Sequence, residues 1–565
     1  MIDAQNAHFG GAAWSLEEQA RFVDQGDWRE VTFLDDFLAQ VQAKPEHTAI
    51  VTSRRGAAPE SLDYGELGRR VDRYAAALLG LGVQRGDVVT IQVANGWEGP
   101  ALALATMRVG GVPNPIPIIY REHELSFMVR HARSKVLVVP DIFRGYDYAA
   151  MGSRLKADID ALENVFVVGD HGRHPGLRSF AELDELGRTV LDETVAQELE
   201  HRRPAPTDMA MLVFTSGTTG TPKATVHSYN TAWCGYQRVI VMALGLTGDD
   251  VAFMASTIGH LTGFIHGMLV PLSTGQKVVY QDIWDAEEML QLIEAEGITW
   301  TLSATTFALD MLDVAKRTNL RGVKLRAFAC GGAAIPPPLA RAMWDVFDCS
   351  LVSLWGCSET GIASIHEFGA SVDTLAASDG FQTPWYDLRI VDATGTPVEP
   401  GEVGKLQVRG PAIFLGYLRQ PEQTAAAFTE DGWFDTGDLG RITPDGGIRV
   451  AGRTKDIIVR GGQNISAQEV ENALFGHPKV QEVAVVPYPD ERLGEKVCAV
   501  VVPNGEPPEL AELVAHVEQV GLAKPMWPQR LEIVDAMPRT PSGKIQKFVL
   551  TEKMSAPAEP GRGRS

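Results

Sequence analysis

What most constrains this chain is an alternation. From Asp63 onward, segments with helical spacing of apolar residues trade places with short β-rich runs. A helix over Tyr64–Leu79, closed by Gly80 and Gly82, precedes VVTIQV at Val88–Val93. A helix around Ala101–Val109 precedes a short strand at Gly111–Ile116, and REHELSFMVRHA precedes KVLVVP. Strands separated by helices do not pair as hairpins, so the pattern predicts a parallel sheet covered by helices. A second series starts after Pro206 with AMLVFT and continues with strands at Ile298–Leu302, Leu325–Ala329 and Ser350–Leu354. Open parallel sheets bind ligands beyond the carboxyl ends of their strands, and two unusual segments stand at such ends: CGGAA (Cys330–Ala334) and WGCSETG (Trp355–Gly361).

Beyond Gly380 the texture shifts to short strands and turns, and GEVGKLQVRG and PDGGIRVAGR predict a smaller antiparallel region. GRTKD at Gly452–Asp456 marks an exposed junction. The chain of 565 residues is too long for one ordinary core, and 45% hydrophobic residues supply apolar surface for at least two. The fold expected is therefore α/β: a large N-terminal domain of parallel helix-covered sheets with a small antiparallel region over residues 1–453, a small α+β domain over 454–553, and a disordered tail at 554–565.

A formal net charge of −21 argues against general affinity for nucleic acid or anionic membrane, so any anionic substrate has to be held by local features. Five cysteines without a CxxC pair indicate neither a zinc site nor a disulfide framework and suit a reducing interior. The N-terminus has no basic stretch followed by an apolar one, and no apolar run reaches the ~18 residues of a membrane span. A cytoplasmic protein is expected.

The run Thr215–Lys223 reads TSGTTGTPK. Gly217 and Gly220 let the backbone turn and uncover its amides, while Thr215, Ser216, Thr218 and Thr219 add hydroxyl donors, a composition suited to a polyphosphate. It is not a Walker loop, because Pro222 precedes Lys223 and Ala224 follows it. LGLGVQRG at Leu79–Gly86 mimics a dinucleotide fingerprint, but its spacing is GxGxxxG and it follows a helix instead of a strand.

Taken in order, TSGTTGTPK, WGCSETG, FDTGDL, GRTKDIIVRGGQNISAQEVE and PRTPSGKIQK resemble the adenylate-forming ANL superfamily over nearly the whole chain. That resemblance implies ATP-dependent activation of a carboxylic acid to an acyl-AMP with release of pyrophosphate, followed by transfer to a thiol. Within the superfamily, IPIIYREHELSFMVRHARSKVLVVPD with FRGYDYAAM is most similar to bacterial cyclohexanecarboxylate-CoA ligase-type enzymes. ATP, Mg2+ and coenzyme A are the cofactors implied.

The same resemblance implies roles for individual residues. Thr215, Ser216, Gly217, Thr218, Thr219, Gly220 and Lys223 would cradle phosphates, and Glu359 would hold Mg2+. Gly331, Gly332 and Ala333 would face adenine and Trp355 would stack on it, Gly356 and Ser358 would be cofactor-binding, and Asp438 and Arg453 would meet the ribose. Lys544 would bridge the acyl carboxylate and the α-phosphate as the mobile catalytic lysine. Lys455 would be the hinge, and Gly461 and Gly462 would approach the pantetheine channel. In STIGHLTGFIHG, His260 would gate the acyl group. Leu261, Thr262, Phe264, Cys330, Trp355, Cys357 and Ile362 would line an uncharged pocket, predicting an acid with an apolar body. Leu261 stands where aryl-AMP ligases of siderophore pathways carry an Asn after the gate histidine, which weakens the hydroxybenzoate reading. Two alternatives stand beside the CoA ligase: an aryl- or acyl-AMP ligase loading a separate carrier protein, and a non-catalytic nucleotide-binding relative. A homodimer is carried as the candidate assembly.

Overall fold

The computed structural model describes residues 14–172, 174, 176–215, 222–320, 322–331, 335, 337–460, 463–539 and 545–555. Its largest sheet has nine strands, running from Phe381–Gln382 through Gly361–Ile365, Ser350–Cys357, Ala327–Gly331, Trp300–Leu302, Val251–Met254, Lys277–Gln281 and Thr48–Ser53 to Glu60–Asp63. The six central strands are mutually parallel and the outer ones antiparallel. A second sheet of five strands, Val112–Pro115, Val88–Ile91, Val136–Pro140, Asn164–Val168 and Arg178–Ser179, is parallel throughout. The helix Glu98–Arg108 is buried along its whole length, as its run of Ala and Leu around the full circumference requires.

The strand Met209–Thr215, expected to begin a second parallel series, stands apart from it. It pairs antiparallel with Lys223–Ser228, with Thr215 opposite Lys223, and Gly416–Tyr417 completes a three-stranded sheet. The glycine-hydroxyl run therefore joins the two arms of a hairpin. A four-stranded antiparallel sheet, Asp387–Val391, Gly404–Arg409, Phe434–Ile442 and Ile448–Arg453, matches the region expected after Gly380.

After the turn Thr454–Asp456, a mixed sheet forms from Ile457–Arg460, Gln463–Ser466, Val480–Asp490, Gly494–Pro503 and Arg530–Ile533. Both faces of its long hairpin are apolar. Val483 and Val485 enter one cluster with helices Ala467–Leu474 and Leu510–Val520, while Ala484 and Val486 enter another with Leu550 and Met554. This is the period-two alternation of a sheet covered on both sides. Among the described residues, no apolar cluster draws from both sides of Arg453. No helix among them is long and apolar enough to cross a membrane.

Candidate active site

WGCSETG is not a loop beyond a strand end. The strand Ser350–Cys357 continues through Trp355, Gly356 and Cys357, and only Ser358, Glu359 and Thr360 turn before Gly361–Ile365 returns. Backbone crowding demands the glycines here. A Cβ on Gly356 would lie 1.8 Å from the Gly361 carbonyl oxygen, and Gly361, at φ +72°, would place one 2.6 Å from the Gly235 carbonyl oxygen.

The turn is locked by its surroundings. Cys357 N donates to Thr360 Oγ1 at 3.1 Å, and the Thr360 carbonyl accepts from the Tyr386 hydroxyl. The Ser358 carbonyl accepts from His227 Nε2 at 2.7 Å and from Tyr236 Oη at 3.2 Å. Phe414 N donates to the Glu359 carbonyl at 2.8 Å. The Glu359 side chain accepts at Oε1 from Tyr417 Oη at 2.8 Å. Tyr417 in turn lies under the Lys223 ammonium, 4.5 Å from the ring centroid. Burial, with the Glu359 carboxylate next, pushes the Tyr417 hydroxyl far above its ordinary range, so it stays a donor. Thr215, Lys223, Tyr417 and Glu359 thus share one small framework, on which Glu359 Oε2 takes no hydrogen bond from any described residue. A hard divalent ion bound by one carboxylate and by substrate phosphate oxygens fits this donor set.

A second framework starts from the same strand. Trp355 Nε1 donates to Asp438 Oδ2 at 2.9 Å. Arg453 faces Asp438 as its cross-strand partner, with Nε 3.2 Å from Oδ1. Asp438 is buried, whereas Arg453 is half exposed. The indole of Trp355 is itself packed among Tyr386, Ala363 and Cys234, so its observed task is to orient the Asp438 carboxylate.

The acyl side is built on the segment before Leu261–Phe264. His260 caps that helix, its Nδ1 accepting from Thr262 N at 3.3 Å. Asn95 ties the preceding loop to the first half of the chain, accepting from Ile258 N at 2.8 Å and donating to the Ser256 carbonyl at 3.1 Å. Leu261, Phe264 and Ile362 meet in one apolar cluster with Tyr236, Thr262 is half-buried, and Cys357 packs where that region meets Trp355. Cys330 does not join them. Strand alternation turns it to the opposite face of the sheet, among Ala308, Met311 and Leu339, with no exposed surface at all. It is a core residue.

Gly331 ends its strand where a Cβ would meet Leu354 Cδ1 at 2.5 Å, so the neighbouring strand already occupies the space beside it. Lys455 falls in the turn Thr454–Asp456, directly after Arg453. Ser216, Gly217, Thr218, Thr219, Gly220, Gly332, Ala333, Gly461, Gly462 and Lys544 lie outside the described residues. The sequence reading missed Tyr417 and His227. Both lie far along the chain from Ser358 and Glu359, and only the sheet pairing of Gly416–Tyr417 with Lys223–Ser228 brings them in.

A profile of the AMP-binding enzyme family matches residues 37–418, and one of the AMP-binding enzyme C-terminal domain matches residues 469–544. The chain belongs to the AMP-binding enzyme family. It is similar to a medium-chain fatty-acid–CoA ligase of Escherichia coli, at 32% identity over 94% of this chain and 92% of that protein. It is also similar to a 2-hydroxy-7-methoxy-5-methyl-1-naphthoate–CoA ligase of Streptomyces carzinostaticus, at 33% identity over 97% of each. Among solved structures, ATP-bound MatB from Rhodopseudomonas palustris superposes with a TM-score of 0.79 at 28% identity, over 93% of this chain and 99% of that one. This AMP-binding enzyme is accordingly an AMP-forming acid–thiol ligase that uses ATP and Mg2+. It activates a carboxylic acid as an acyl-AMP with release of pyrophosphate.

Proposed function

We propose that the acid has a largely apolar body, that the acyl group passes from AMP to coenzyme A, and that the frameworks around Glu359 and Asp438 hold the nucleotide between them. The observation that carries this reading is the shared strand Ser350–Cys357. Its Trp355 orients the Asp438 carboxylate, and the turn that follows it presents Glu359. Asp438 and Arg453 receive the ribose, the carboxylate accepting from sugar hydroxyls. Glu359 holds Mg2+, which neutralises phosphate charge when bound.

The carboxylate must approach an anionic α-phosphate, so positive charge and backbone amides are needed where charge develops. Thr215, Lys223 and the residues between them, from Ser216 to Gly220, supply the cradle, and Lys544 supplies an ammonium to both reactants. Gly332 and Ala333 lie beside the adenine. His260 stands at the acid's carboxyl end, with Leu261, Thr262, Phe264, Cys357 and Ile362 around its body. Lys455 is the hinge between a large domain ending at 453 and a small one from 454 to 553, and Gly461 and Gly462 adjoin the thiol's path. Five unpaired cysteines, four of them buried, suit a reducing cytoplasm.

The test is acid-dependent exchange of labelled pyrophosphate into ATP across short aliphatic, alicyclic and aromatic acids, followed by CoA-dependent release of AMP. Exchange and CoA ester formation with the same acid are expected. Exchange without ester formation would move the acceptor to a carrier protein. No exchange with any acid would leave a nucleotide-binding protein without this chemistry.

A further inference from the structure

Beyond Arg453 one buried ion pair takes no part in the frameworks around Glu359 and Asp438. Lys547 Nζ stands 2.7 Å from Glu471 Oε1, and that oxygen also accepts from Val485 N at 2.6 Å. Glu471 is only 8% exposed. Asp456, the last residue of the turn Thr454–Asp456, presents a further carboxylate, with Oδ2 3.9 Å from the same ammonium.

Stability does not account for this pair. Taking two charges out of water costs about as much as their attraction returns, and apolar side chains of similar size serve as well or better. Lys547 is also the first residue of the helix Lys547–Ser555, where a positive charge opposes the helix dipole. The lysine weakens the helix it begins and finds its partner on another element. What the pair does supply is a fixed separation between segments that are distant in the chain.

Those segments form one path. Ser466 caps the helix Ala467–Leu474, accepting from Glu469 N at 3.2 Å, and its hydroxyl donates to the Ala451 carbonyl on the strand Ile448–Arg453. Glu471 stands on that helix and holds both the long hairpin, through Val485, and Lys547. Lys547 follows Lys544 by three residues. The stem on which that stretch of chain stands is closed: Arg539 and Ile545 form an antiparallel bridge, Gln546 N donates to the Pro538 carbonyl at 2.8 Å, and Arg539 Nη2 lies 2.7 Å from Glu482 Oε2. Lys547 is two residues beyond the bridge, so the place of its ammonium sets the place of the stem.

We propose that Lys547 is a positioning residue: through Glu471 and Asp456 it ties the stem that carries Lys544 to the junction turn, so that the arrangement of the chain beyond Arg453 and the delivery of that lysine are set together. This rests on the reading of Lys544 as the lysine of acyl-AMP formation, and deepens it by naming what places it.

The test uses the full chain and two half-reactions, acid-dependent pyrophosphate exchange and CoA ester formation from preformed acyl-AMP. Lys547→Met should lower kcat for exchange at least ~10-fold, since small misplacement of a reacting group costs up to ~10²-fold, with little change in the KM for ATP or for the acid. Ester formation from acyl-AMP should stay close to wild type, a split that a general loss of structure would not give. Lys547→Arg, which keeps a cation opposite Glu471, should restore most of the exchange. If Lys547→Met does not fold, Asp456→Asn decides, because it leaves the buried pair intact; exchange alone should fall roughly threefold, the scale of one part-exposed charge contact. Wild-type exchange in the deciding variant, equal losses in the two half-reactions, or no recovery with arginine overturns the assignment. Lys544→Ala separates the two readings: if it retains exchange, the role of Lys544 falls and this proposal with it, whereas loss there beside wild-type exchange in Lys547→Met overturns this proposal alone.

Discussion

The Trp355 indole holds Asp438 through a single hydrogen bond, and that bond has a measurable consequence. Trp355→Phe keeps most of the apolar packing but withdraws the donor at 2.9 Å from a buried carboxylate whose other oxygen faces Arg453. The variant should raise the KM for ATP roughly tenfold, the scale of one lost bond to a charged group, with a smaller change in the KM for the acid. Steady-state kinetics at saturating co-substrate would show it, and an unchanged ATP KM would detach Asp438 from the nucleotide. Buried imidazoles set an acid limit on stability. Burial, opposed by the Ser358 carbonyl, pulls His227 from 6.5 to about 4. The unfolded chain binds the proton first, so this contribution is complete above the ordinary value and is lost as pH falls through the interval below it. Unfolding free energies from denaturant titrations should be level above about pH 6.5 and decline below it with a slope of up to ~1.4 kcal/mol per pH unit for such a group. His227→Gln should flatten that profile while lowering stability at neutral pH.

At the level of elements, the hairpin Ser350–Cys357 to Gly361–Ile365 carries the site, and its glycines are where it is most easily broken. Gly361→Ala meets both a left-handed backbone and the Gly235 carbonyl, so it should cost on the order of 2–4 kcal/mol and lower ATP binding along with the thermal midpoint. Wild-type stability in that variant would mean the turn is not held as described. Much of this level was legible beforehand. The helix Tyr64–Gly80 lies where apolar spacing and its glycine stop put it, Glu122–Ala132 falls within REHELSFMVRHA, and the antiparallel texture after Gly380 proved to be a four-stranded sheet. What was not legible depends on pairing partners that chain order conceals. AMLVFT reads like any buried strand, and only its partner Lys223–Ser228 makes it a hairpin arm. Cys330 sits beside motif residues in the chain, but strand alternation sends its side chain to the other face. The π turns Trp233–Gln237 and Ile265–Leu269 that carry Gln237 and His266 add one residue to a helical bond ring, a shift that leaves no mark in hydrophobic spacing.

Across the whole molecule, the described residues on the two sides of Arg453 share no apolar core. The apolar clusters end at Val450 on one side and resume at Ile458 on the other, and the described polar ties near the junction include Thr454 Oγ1 donating to the Gly437 carbonyl and Ser466 Oγ donating to that of Ala451. A small domain joined without a common core can rotate at low cost in buried apolar surface, which makes two working arrangements compatible with one fold. If Lys544 serves only the first, Lys544→Ala should lower acid-dependent pyrophosphate exchange by at least ~10²-fold, the scale of one lost transition-state donor. CoA ester formation from preformed acyl-AMP should continue in that variant at close to the wild-type rate. If Gly462 serves only the second, Gly462→Leu should show the reverse, with exchange intact and ester formation blocked. Measuring both half-reactions in both variants gives four rates. Equal losses in the two half-reactions for either variant would mean that one arrangement of the small domain performs both steps.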